Sequence, residues 1–134
     1  MDISERGPWV DTLMMIYDQR IKYFAAKSKI YDEGYLLGRK GFDLFRYRGI
    51  LRMKEAYDIL RKSLDLKGEK SEADVIWCAA RASGLLYHAN EMNLSEYTNN
   101  YEQYKKLLSL IDCTESEREQ VSKELSSMDR NINR

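Results

Sequence analysis

The chain has 134 residues, 43% of them hydrophobic and 33% charged, with 22 basic residues against 22 acidic ones. That size and apolar content suffice for one domain with a core that needs no staples, and the zero net charge excludes a global electrostatic argument for nucleic acid or membrane. The balance is uneven along the chain. Residues 1–64 carry 13 Lys/Arg against 9 Asp/Glu, and residues 65–134 carry 9 against 13, so halves of opposite sign would orient a partner or a second copy.

A single proline, Pro8, and seven glycines leave few obligatory breaks. With β-branched residues sparse and no period-two alternation, the chain reads as all-α. Residues 1–7 are expected to be a flexible lead-in. Helix one is expected from Pro8 to about Asp32. Trp9, Leu13, Ile16, Tyr17, Ile21, Phe24 and Tyr31 recur there at threes and fours on one face. Met14, Met15, Tyr23 and Ala25 widen the stripe, and a helix so broadly apolar should pack against more than one neighbour. Gly34 is read as the break before helix two, at 35–49. Gly34-x-x-x-Gly38 resembles a close-packing motif that carries little weight outside a membrane.

Residues 51–66 are expected as helix three, with Ala56, Ile59, Leu60 and Ser63 inward. Ser71-x-x-Asp74 reads as a capping-box start for helix four, which runs to about Asn90. Small residues at Ala56, Ser63, Ala79, Ala80, Ala82 and Gly84 would let helices three and four lie close as an antiparallel hairpin. Ile59, Leu60, Trp77, Leu85 and Tyr87 would fill the rest of that hairpin. Asn93 or Ser95 caps helix five, whose Tyr97, Tyr101, Tyr104, Leu108 and Ile111 form a stripe at helical spacing. Thr114-x-x-Glu117 is a capping box for a sixth helix to about Met128. Only Val121, Leu125 and Met128 give that helix an apolar seam, so it should dock weakly or fray. The expectation is five or six antiparallel helices, as helical hairpins or a bundle, in one domain over 8–128, with 129–134 as tail.

Glu55-Ala56-x-x-x-Leu60-x-x-Ser63-Leu64-x-Leu66 resembles the second helix of a tetratricopeptide repeat, and Tyr47 stands nine residues before Ala56, where that repeat has its first-helix tyrosine. The sequence departs from the pattern at Asp43-Leu44, where Leu-Gly is expected, and at Gly68, where the closing proline is expected. Ile76-Trp-Cys-Ala-Ala-Arg-Ala-Ser83 is similar to the Leu-Trp-x-x-Ala-Arg-Ala-Ser run of the regulator-of-microtubule-dynamics repeat domain, sharing Trp77, Ala80, Arg81, Ala82 and Ser83. The repeat-like material covers about residues 35–111. The resemblance implies stacked helical hairpins presenting a concave face to a partner.

Chemistry-bearing groups are sparse. His88 is the lone histidine and sits at a helix end, where it favours the carbonyl terminus. Cys78 and Cys113 have no ligand spacing and read as reduced thiols of an intracellular protein. No carboxylate set has the Glu-x-x-His pattern of a bundle metal site, and Gly38-Arg-Lys-Gly41 lacks the spacing of a phosphate loop. No catalytic residue, cofactor or metal is therefore expected. No apolar run approaches the length of a membrane span, so the chain is placed in the cytoplasm or nucleus, without membrane insertion.

Two stretches are candidates for binding. Residues 39–54 hold six basic side chains against Asp43, interleaved with Phe42, Phe45 and Tyr47. Arg39, Lys40, Arg46, Arg48 and Arg52 suit an acidic protein or peptide, or phosphates, because guanidinium groups pair with anions and aromatics stack. The competing reading turns the aromatics inward and leaves the arginines solvated. The acidic stretch 112–129 could cover this face within one molecule or in a second copy. Tyr97, Tyr101 and Tyr104 are candidates for lining a groove, since tyrosine offers contact area and a polar tip. The sequence thus reads as a non-catalytic helical binding module or scaffold subunit for protein–protein interaction. The alternative is a nucleic-acid-associated helical subunit using the basic segment 39–54.

Overall fold

The computed structural model describes the backbone of residues 3–134 and the side chains from Gly7 onward. Among them are six α-helices and no strand: α1 (Ile3–Ala26), α2 (Ile30–Arg48), α3 (Met53–Lys67), α4 (Ala73–His88), α5 (Leu94–Leu110) and α6 (Glu115–Ile132). Short 3-10 turns at Gly49–Arg52 and Gly68–Lys70 precede α3 and α4. The chain divides into two compact units, the first ending at Lys67 and the second running Gly68–Arg134. α3 and α4, which the sequence paired as a hairpin, fall in different units. In the structure α3 packs on α2, and α4 packs on α5 and α6. Trp77 is half-buried and Leu85 partly exposed in α4.

In unit 1, α1 and α3 each pack along α2. Val10, Met14, Leu37, Leu44, Ala56 and Ile59 form its core, with Leu13, Tyr17, Ile21, Phe45 and Tyr47 against it. The break between α1 and α2 lies at 27–29, not at Gly34. Ser28 takes the left-handed conformation (φ 55°), its N–H donates to Ala25 O, and the Lys29 N–H donates to Phe24 O. These two bonds make a Schellman stop with serine in the place glycine usually holds. Gly34 is buried inside α2, as are Gly38 and Gly41. A Cβ on Gly41 would lie 2.7 Å from Leu60 Cγ, and one on Gly34 2.6 Å from Lys67 Cγ. Ser63 Oγ donates to Gly34 O at 2.6 Å. The glycines read as breakers are the surface that lets α2 and α3 approach.

In unit 2, α4, α5 and α6 pack on one another. Tyr97 and Tyr104 are its largest fully buried side chains, with Ile76, Leu86 and Met128 beside them in the core. α4 ends on a second Schellman stop, with Asn90 left-handed (φ 61°) and the Glu91 N–H on Leu86 O at 2.8 Å. The expected Ser71 cap does not form. The Ser71 N–H donates to Gly68 O, which closes the 3-10 turn, and the N-cap shifts to Glu72 without a side-chain bond. Asn93 caps α5, and the Thr114–Glu117 capping box is complete.

α6 does not fray. Val121, Leu125 and Met128 are all buried, and the helix continues to Ile132 through most of the expected tail. Two contacts beyond its thin seam explain this. Arg118 donates to Leu108 O and, at 3.2 Å, to Ile111 O, covering the carbonyl end of α5. Arg81 pairs with Glu124 at 3.0 Å. The lead-in expected at 1–7 is helical from Ile3, while Met1 and Asp2 lie outside the described residues. No helix among the described residues is long and apolar enough to cross a membrane.

Candidate interaction surfaces

The basic segment 39–54 runs from the second half of α2 through the 3-10 turn into the start of α3, and its charges are largely engaged within unit 1. Lys40 pairs with Asp18 of α1 at 2.5 Å. Arg52 holds Glu55 through two bonds of 2.7 and 2.8 Å and reaches Asp11 at 2.8 Å. The hydrogen bond from Arg52 holds the Glu55 carboxyl below the usual carboxylate range. Lys54 pairs with Asp58 at 3.2 Å. Arg39 lies over the Phe42 and Tyr35 rings at 5.2 and 5.9 Å, and Arg46 lies over Tyr47 at 5.2 Å. Phe42, Phe45, Tyr47 and Arg48 are half-buried, whereas Arg46 is exposed. What the arrangement does chemically is staple α1 and the turn at Gly49–Arg52 into unit 1.

The tyrosine trio separates. Tyr97 and Tyr104 are fully buried, and Tyr101 is half-buried with Lys105 over its ring at 5.7 Å. Tyr97 stacks on Tyr87 with centroids 4.3 Å apart and planes 8° from parallel. Its burial raises the phenol pKa, and its hydroxyl accepts from Asn131 Nδ2 at 3.0 Å. Tyr104 OH lies 3.4 Å from the buried Ser83 Oγ, which also accepts from Asn100. Both rings bury their faces and find a polar partner for their tips, the ordinary fate of a core tyrosine.

A cleft of about 240 Å³ lies between α4 and α6, floored by Ala80, Gly84 and Met128. At one end Asn131 Nδ2 also lies 3.2 Å from His88 Nε2. His88 is thus engaged across the unit and not only at the end of its own helix. Among the described residues no group of three His, Cys, Asp or Glu is placed to hold a metal ion, and Cys78 and Cys113 are both free thiols.

The surface that sequence reasoning missed is the outward side of α1. Of the thirteen large hydrophobic side chains that are exposed among the described residues, ten lie in unit 1, and Trp9, Met15, Ile16 and Tyr23 lie on α1. Trp9, Ile16 and Tyr23 are seven residues apart, so they form a row on one side of the helix. They are 49%, 46% and 57% exposed. Val10, Met14 and Tyr17 take the side against α2. Trp9 abuts Tyr47 edge-on at 4.9 Å, which fixes one end of the row on the body of the unit. An open depression lined by Met15, Asp18, Gln19, Ile21 and Lys22 runs beside it. The signal was present as a stripe too wide for one neighbour. Within its unit α1 has α2 alongside, and the outer part of the stripe faces solvent.

Compared with protein-family models, with curated proteins and with solved structures, the chain matches none.

Proposed function

We propose that the chain is a non-catalytic helical binding module, a scaffold subunit that receives another helix along the outward side of α1. The observation that carries this reading is the concentration of exposed apolar side chains on unit 1, above all Trp9, Met15, Ile16 and Tyr23. Each is about half-exposed, so covering it with a partner helix would return on the order of 1 kcal/mol by apolar burial. Four such residues along about 21 Å of helix, at 1.5 Å per residue from Trp9 to Tyr23, suit helix-on-helix recognition through a row of anchors. The tetratricopeptide likeness enters as a description of the α2–α3 hairpin, where Ala56, Leu60 and Ser63 are buried. No covalent step is assigned to the chain.

The nucleic-acid reading draws less support, because Lys40, Arg52 and Lys54 already face carboxylates. Binding through phosphates needs cations free to replace counterions. A displayed library of helical peptides panned on the immobilised full chain tests the choice. Retained peptides should lose at least tenfold in affinity on Ile16→Asp and little on Arg46→Glu. Equal retention by the Ile16→Asp chain refutes the reading. Salt-steep binding of an oligonucleotide, lost on reversing Arg46 and Arg48, would favour the alternative.

A further inference from the structure

We infer that the cleft between α4 and α6 is a binding site for a small uncharged carboxamide. It lies in unit 2 and stands independently of the reading of α1. Two polar links between the helices frame it. Arg81 pairs with Glu124 at 3.0 Å, and Asn131 Nδ2 lies 3.2 Å from His88 Nε2. From one link to the other α4 advances from residue 81 to 88 and α6 from 124 to 131, about 10 Å along each axis. The window between the links has Gly84 and Met128 in its floor.

Gly84 keeps this window open. Glycine inside a helix is disfavoured against alanine, unless φ is positive or a neighbour presses on the backbone. Neither holds at Gly84. It lies within α4, its φ is not left-handed, and an added Cβ would meet only Tyr97 OH, at an ordinary 3.9 Å. At Gly34 and Gly41 the same carbon would clash at 2.6 and 2.7 Å. What the absent side chain leaves at residue 84 is room over the Tyr97 hydroxyl.

That hydroxyl carries the second observation. Tyr97 is fully buried, and its oxygen accepts from Asn131 Nδ2 at 3.0 Å. Its own proton meets no acceptor among the described residues, a costly state for a buried donor. Burial raises the phenol pKa, which keeps the proton in place at neutral pH. Asn131 directs its amide nitrogen at both Tyr97 and His88, and its Oδ1 meets no donor among the described residues. A donor and an acceptor thus stand side by side on the lining of one cleft, the complement of the C=O and N–H of a carboxamide. A carboxylate would fill only the first role and would lie near the Glu124 carboxyl, which is 16% exposed. The volume of about 240 Å³ and the apolar floor suit a ligand of about nine heavy atoms with an apolar body.

The probe is benzamide, titrated into the ¹⁵N-labelled full chain and followed by backbone amide shifts. A ligand of this size in so small a site should have a dissociation constant in the low millimolar range. The shifts should saturate there and centre on residues 81–88 and 124–131. Benzoate, of the same shape but charged, should bind at least tenfold more weakly. Gly84→Leu puts a side chain into the window and should lose at least tenfold, with a thermal midpoint no lower than the parent's because a helix glycine has gone. Tyr97→Phe keeps the ring stacked on Tyr87 and should lose at least threefold with the far-UV circular dichroism unchanged. Absence of saturable shifts at about 50 mM benzamide overturns the inference and leaves a cleft that holds only water. Benzoate binding as tightly as benzamide overturns it too, as does full affinity in Gly84→Leu or Tyr97→Phe. A Gly84→Ala chain less stable than the parent would show that packing demands the glycine, and would also overturn it. None of these results bears on the α1 face, which is read by helical peptides and Ile16→Asp.

Discussion

Gly41→Ala puts the close approach of α2 and α3 to the test. Alanine is favoured over glycine in a helix interior by about 1 kcal/mol, so on an open helix the change would stabilise. Here the new methyl carbon would lie 2.7 Å from Leu60 Cγ, 2.9 Å from Leu60 Cδ2 and 3.2 Å from the Leu60 backbone nitrogen. Carbon–carbon contact is optimal at about 3.5–4.0 Å, so α3 must retreat by close to 1 Å or Leu60 must leave its rotamer. Leu60 is fully buried and cannot swing into solvent. Overpacking of this kind costs about 1–3 kcal/mol, and the involvement of backbone puts it in the upper part of that range. The net expectation is a loss of about 1–2 kcal/mol, seen as a drop of roughly 4–8 °C in Tm per kcal/mol for a unit of this size. The assay is thermal and urea unfolding followed by circular dichroism at 222 nm. Leu60→Ala supplies the check. Alone it should cost about 2–5 kcal/mol, but with Gly41→Ala the methyl occupies vacated space, and the pair should beat additivity by at least about 1 kcal/mol. A Gly41→Ala chain as stable as the parent, or a strictly additive pair, refutes the close-approach account.

Ser28→Gly should stabilise by about 0.5–1 kcal/mol in the same unfolding assay, because it removes a side chain from the left-handed position that ends α1. Thr114→Ala should cost about 1 kcal/mol by removing half of the capping box, and Glu117→Ala made on that background should add little. Alkaline pH should destabilise unit 1 through Tyr17, whose phenol is partly buried and donates to Asp43 at 2.5 Å. Burial, then the bond to Asp43 and its charge, raise the Tyr17 pKa above the ordinary value near 10. The folded chain therefore keeps a proton that the unfolded chain releases. The stabilisation is complete below about pH 10 and declines as pH rises beyond it. Urea midpoints between pH 9 and 11 should fall more steeply for the parent than for Tyr17→Phe. Equal slopes would mean that the phenol titrates alike in both states.

The helical class and the positions of α3 to α6 were legible because apolar periodicity and caps are local signals. Asn93 and Thr114 make the side-chain bonds their residue types suggest. What misled at the start of the chain was a stop written without glycine and a helix interior written with three. Ser28 ends α1 by geometry that its sequence does not advertise, while Gly34 and Gly41 serve a neighbour some twenty to thirty residues away. Glycine marks either a turn or a close approach, and only the position of the partner helix tells which. The same limit governed α6. Its three-residue seam looked weak because the Arg118 bonds to the end of α5 depend on where two helices meet.

The proposed binding surface was hidden by the same ambiguity between burial and exposure. A row of aromatics such as Tyr97, Tyr101 and Tyr104 has one signature in sequence whether it fills a core or lines a groove. Burial decides, and it places Tyr97 and Tyr104 inside. The basic run 39–54 reads as a patch only while its counterions are unknown, and two of them, Asp11 and Asp18, come from α1. Those carboxylates belong to the helix whose outer row is uncovered, so the contacts that quiet the basic segment also hold α1 in place. If α1 is the docking helix proposed above, the ion pairs at Asp11 and Asp18 let it present Trp9, Ile16 and Tyr23 without first paying to order itself. On this account Lys40→Ala should weaken docking on α1 although Lys40 belongs to α2, and the loss should appear mainly in the association rate. An unchanged rate together with unchanged affinity would show that α1 needs no such anchoring.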